Sequence, residues 1–69
     1  MDIRSYSKQE LALLYFPDAA PPVASAHLVR WIMRCKPLLQ LLIQSGYTKY
    51  TKEFNPLQVS YICEHLGEP

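Results

Sequence analysis

The chain has 69 residues, of which 49% are hydrophobic and eight are aromatic, and its net charge is +1. That length allows one domain at most, and a chain this small buries only about 60% of its unfolded surface. Scarce glycine and the lack of any low-complexity tract exclude disordered and fibrous classes, so a small globular core is expected, with a dimer interface as a possible supplement.

The opening "MDIRSY" alternates weakly and suits a short strand. Ser7 then opens a helix, because Ser7 and Glu10 have the spacing of a capping box, in which each side chain takes the other residue's backbone N–H. Leu11, Leu14 and Tyr15 form its apolar stripe, and Pro17 ends it by disfavouring helical backbone at Phe16. "FPDAAPP" is a joint. A second helix starts near Pro22, since proline is tolerated in a first turn. Its buried stripe is Ala24, Leu28, Trp31, Ile32 and Cys35, and its opposite face carries Val23, His27, Arg30 and Arg34.

Pro37 breaks the pattern or begins a new helix, "PLLQLLIQS". Leu38, Leu41 and Leu42 face one way there, and Leu39 and Ile43 partly another, a breadth that suits a central helix or an interface. Gly46 stops it. "YTKYTKEF" reads as a short strand or an extended basic loop. Asn55 and Pro56 start the last helix as cap and first residue. Val59, Ile62, Cys63 and Leu66 give it an amphipathic stripe, and Gly67 ends it.

Charge is unevenly distributed. Between Ala19 and Lys52 no acid occurs, while Arg30, Arg34, Lys36, Lys49, Lys52 and His27 do. The acids lie toward the ends: Asp2, Glu10 and Asp18, then Glu53, Glu64 and Glu68. A basic middle is the electrostatic footprint of a nucleic-acid surface; the competing reading is a solvated face. The first ten residues lack the basic start and apolar run of a secretory segment. No apolar run approaches the roughly 20 residues that span a bilayer. Cys35 and Cys63 fall at apolar helical positions and read as reduced thiols, which points to the cytoplasm.

Helix one, Ser7 to Phe16, and helix two, Pro22 to Arg34, have the order of a helix-turn-helix, in which the first helix braces a second that enters the major groove. Arginine suits guanine edges and phosphates because its planar fork donates twice. His27, Arg30 and Arg34 share one face. "GYTKYTKEF" is a candidate wing, with Lys49 and Lys52 as phosphate contacts. The joint from Pro17 to Pro21 is longer than the usual three or four residues. The alternative is a helical hairpin with a polar outer face.

His27, Cys35, Cys63 and His65 are chemically able to bind zinc, but their spacing fits no closed pattern, so no metal is expected. Neither histidine has a carboxylate partner in sequence and no glycine-rich phosphate loop occurs, so the chain reads as a non-enzyme with no cofactor and no evident small-molecule substrate.

The strings "KQELALLYFP", "HLVRWI", "SGY" and "FNPLQVSYICEHLGEP" resemble a small bacterial family of unknown function, numbered 4248, over nearly the whole chain. That resemblance implies a standalone small protein and brings no activity with it. A second, weaker resemblance is to the winged helix-turn-helix of MerR-type regulators and excisionase-like proteins. Its counterparts here are Glu10 to Ala12, Leu28 to Trp31 and Gly46 to Tyr50. It implies that Arg30, Arg34 and Lys49 contact DNA and that Trp31 anchors the core. Three departures stand against it: the longer joint, the helix from Leu38 to Ser45, and Thr48 in place of the wing arginine.

The expectation is a mainly α domain of four helices with a helix-turn-helix-like core. A two-stranded ribbon would pair Ile3–Tyr6 with part of Tyr47–Phe54. The favoured function is DNA binding as a regulator or accessory factor, through His27, Arg30, Arg34, Lys49 and Lys52. The alternative is a protein-interaction module, or a homodimer, using the apolar surface of Pro37–Ile43.

Overall fold

A computed structural model describes residues 2–48 and 50–69. In chain order it has strand β1 (Tyr6–Ser7), helices α1 (Lys8–Tyr15), α2 (Pro21–Arg34) and α3 (Lys36–Gln44), strand β2 (Glu53–Phe54) and helix α4 (Pro56–Leu66). The two strands form an antiparallel ribbon in which Tyr6 faces Phe54 and Ser7 faces Glu53. The domain is mainly α, and its ribbon pairs the N-terminal segment with the end of the 47–54 stretch.

Each helix boundary has a local cause. Ser7 Oγ accepts from the Glu10 backbone N–H at 3.0 Å, and Ser7 N–H donates to Glu10 Oε1 at 3.1 Å, so the capping box is complete. Phe16 leaves helical backbone just before Pro17, and Ala19 N–H donating to Phe16 O closes a turn. α2 has no side-chain cap and starts instead on Pro21 and Pro22, which lack the N–H groups a cap would serve. A single residue, Cys35, separates α2 from α3. Were the two helices continuous, Pro37 could not donate to Met33 O and its ring would strike that carbonyl, so the chain turns before it.

α3 ends in a Schellman motif. Gly46 takes φ +100°, Tyr47 N–H donates to Leu42 O and Gly46 N–H to Ile43 O. Reversing the chain there sends the Tyr47 ring into the core, where it stacks on Phe54 with centroids 5.8 Å apart. α4 begins with a second complete capping box, between Asn55 and Gln58.

The core comprises Leu11, Ala12, Ala24, Leu28, Ile32, Leu38, Leu42, Phe54, Val59 and Ile62, all fully buried, with Tyr6 and Tyr47 nearly so. Of the residues expected to face inward, Tyr15, Cys35, Leu41, Cys63 and Leu66 are only partly buried, and Trp31 and Leu14 are exposed. On α2 the buried row is Ala24, Leu28 and Ile32, spaced by four. Trp31 lies one residue off that row and is 40% exposed, its indole edge-on to Phe16 at 4.8 Å and to Tyr15 at 6.3 Å. It covers the seam between α1 and α2 from outside, since a small interior has little room for so large a ring. On α1, Ala12 is buried and Leu14 is 46% exposed. Ala12 on α1 and Ala24 on α2 are small and fully buried, and these two helices pack together more extensively than any other pair of elements.

In the stretch expected as a wing, Thr51 N–H donates to Thr48 O and Thr48 N–H to Thr51 Oγ1, and the strand at its end is β2, Glu53–Phe54. Lys52 O then accepts from Lys8 N–H at 2.7 Å, continuing the ribbon.

Tyr15 Oη donates to Gly67 O and ties the end of α1 to the end of α4. Burial raises its pKa far above the ordinary 10.0, and Cys63 beside it adds to the effect. Burial raises Tyr47 as well.

Three outcomes are expected. Asn55→Ala removes an N-cap worth about 1 kcal/mol, lowering the melting temperature by about 4–8 °C in a thermal melt. Ile32→Ala should cost about 2–5 kcal/mol, and Trp31→Ala only about 1–2 kcal/mol, the partial burial and edge contacts of its ring. Urea titrations in which Trp31→Ala is the weaker of the two would put the indole back in the core. Above pH 10 the unfolded chain releases tyrosine protons that the folded chain retains, so stability should fall as pH rises past that value. Tyr15→Phe should flatten this alkaline limb of the denaturation midpoint.

Candidate functional site

α2 is braced on one side and open on the other. Its Ala24, Leu28 and Ile32 row is fully buried, and α1 packs more extensively against it than any other pair of elements packs together. One third of a turn or more from that row, Arg30 and Arg34 are exposed. Arg34 lies in the last turn, where a cation is favoured by the helix dipole, so it also has a structural role.

The other expected contacts have different surroundings. His27 is half-buried and leans on Phe16, with ring centroids 5.3 Å apart and planes tilted by 42°. It belongs to an aromatic cluster with Phe16, Trp31 and Tyr15 that closes the joint between α1 and α2. Lys52 is exposed and stands beside α2 through the ribbon, lining an open cavity of about 460 Å³ with Ser7, Lys8, Gln9 and Ser25. Lys49 lies outside the described residues.

Lys8 escapes sequence reasoning because its nearness to Lys52 comes from a strand pairing between residues far apart in the chain. Periodicity carries no signal for that. The Ser25 hydroxyl oxygen on the same wall is buried and has no hydrogen-bond partner. Arg4, the remaining cation near this end, is engaged locally: its guanidinium sits 3.9 Å from the Tyr6 ring centroid and 3.7 Å from Glu10 Oε2.

A second groove runs along the other flank of α2. Val29 and Met33 on α2, Leu39 and Ile43 on α3, and Tyr47, Thr48 and Lys8 enclose about 520 Å³. Met33 is 50% exposed and Ile43 56% exposed at its rim.

Among the described residues, no three or more His, Cys, Asp or Glu side chains converge on a metal-sized site. His65 Nδ1 pairs with Tyr61 O within its own helix. Among the same residues, no helix is long and apolar enough to cross a membrane.

No curated protein and no solved structure matches the chain. A family model described as a domain of unknown function, DUF4248, matches residues 2–69. With nearly every residue inside that match, the chain belongs to the DUF4248 family.

Proposed function

We propose that the domain binds DNA as a small regulator or accessory factor, with α2 as the helix that meets the duplex. The observation that carries this reading is the outward placement of Arg30 and Arg34 on a helix whose opposite side is locked against α1. A braced helix with a cationic outer face is the physical requirement of groove reading, because a helix that shifts on its own domain cannot hold arginines in register with base edges. Lys52, exposed beside the first turns of α2, supplies a phosphate contact in this arrangement. His27 acts through Phe16, orienting the joint from which α2 emerges.

A second reading has its own support. Leu39 and Ile43, from the apolar Pro37–Ile43 stretch, wall the groove along α2, which favours a protein-interaction module. The two readings differ in salt dependence, since phosphate binding releases counterions and apolar docking does not.

The test is fluorescence anisotropy with random duplexes and with duplexes enriched by selection, at two salt concentrations. Lys52→Ala should weaken binding to all duplexes alike and lower the salt slope by about one unit. Arg30→Ala with Arg34→Ala should reduce discrimination between duplexes by about 1–3 kcal/mol for each arginine that reads a base. Thermal melts should change little for Lys52→Ala and Arg30→Ala, whose side chains are exposed, while Arg34→Ala also loses the helix-end cation, about 0.3–1 kcal/mol. A wild-type protein with no duplex affinity at low salt would refute the reading.

A further inference from the structure

The groove between α2 and α3 has a regular construction. Val29 and Met33 are four apart on one wall, and Leu39 and Ile43 are four apart on the other. Each pair spans about 6 Å along its helix. Tyr47 and Thr48 complete the lining, and Lys8 is the one charged side chain contributed to it by the described residues. Lys8 also lines the adjoining cavity with Lys52, so two lysines lie where the two hollows meet. No acid among the described residues lines either hollow.

We propose that this groove docks an amphipathic helical segment of a partner protein, with two apolar side chains one turn apart seated between Met33 and Ile43 and an aspartate or glutamate at the Lys8 end. This goes beyond the DNA reading and gives the interaction-module reading, on which it rests, a definite occupant. The 6 Å repeat of both walls equals the spacing of i and i+4 anchors on a partner helix, which is how helices occupy apolar grooves. Methionine at the rim adapts to side chains of different shape. Lys8, with Lys52 in the adjoining cavity, sets polarity: a carboxylate beside them gains a partner, while a basic segment is repelled. A groove of about 520 Å³ is in the range of sites that take ligands with a few apolar anchors.

The probe is a labelled helical peptide of about four turns, with leucines at i and i+4 and glutamates in its end turn. One companion peptide carries lysines in place of the glutamates and another serines in place of the leucines. The intact protein should bind the glutamate peptide in anisotropy, with NMR shifts concentrated at the Met33 and Ile43 methyl groups. Ile43→Gln, at an exposed position where the fold is preserved by circular dichroism, should weaken that peptide at least about tenfold. Lys8→Glu should weaken it similarly and reverse the preference toward the lysine peptide. Duplex affinity of Ile43→Gln should match wild type, so a failure of docking and a failure of DNA binding appear in separate assays. No binding of the glutamate peptide overturns the proposal. So does equal binding of both charge forms with no response to Lys8→Glu. A wild-type dimer that Ile43→Gln dissociates also overturns it, by identifying a second copy as the occupant.

Discussion

Tyr6 and Phe54 face each other across a ribbon only two residues long, and each immediately precedes a helix cap: Ser7 for α1 and Asn55 for α4. Two strand-to-helix turns therefore leave from one point. The ribbon fixes where both helices start, and the capping boxes fix the direction in which they leave. A two-stranded ribbon is marginal by itself in water. What holds this one is the burial of Phe54 and Tyr6 and the stacking of Phe54 on Tyr47. The remaining elements depend on that anchor, since α2 packs on α1 and α3 packs on α4.

Helix ends distant in the chain are also joined by polar groups. Gln58 is 4% exposed, yet its amide is used on both sides. Its Oε1 accepts from Asn55 N–H, and its Nε2 donates to Ser45 O and Oγ, each at 3.3 Å. One side chain thus completes the start of α4 and satisfies a carbonyl at the end of α3. Buried polar groups are tolerated when their hydrogen bonds are met, and such a link is directional where apolar packing is not. Tyr15 does the same between α1 and the end of α4 through Gly67 O.

α2 consequently separates two surfaces of different chemistry. Its outer face offers arginine to solvent, while the flank it shares with α3 is apolar and ends in lysine. On the opposite flank the Phe16, Trp31, Tyr15 and His27 rings cover the joint. Met33 on α2 and Ile43 on α3 stay uncovered, because neither helix can turn every apolar residue toward a small core.

Local chemistry by itself determined the four helices and their limits. Ser7 with Glu10, the paired Pro21 and Pro22, Gly46, Asn55 with Pro56, and Gly67 each act within a few residues, so their effects can be read without knowing the fold. The presence of a ribbon was legible too, as were the exposed Arg30 and Arg34. Tertiary structure alone decided, by a margin of one residue, how α1 and α2 turn inward, whereas Leu38 and Leu42 on α3 and Val59 and Ile62 on α4 are buried as their spacing predicts. Trp31 and Ile32 are both apolar, and only the packing of α1 on α2 puts Ile32 in the interior and leaves the indole at the rim against Phe16 and Tyr15. It likewise brought Lys8 beside Lys52 and His27 against Phe16. These contacts come from strand pairing and helix packing between residues distant in the chain, and helical periodicity, which spans only a few turns, carries no information about them.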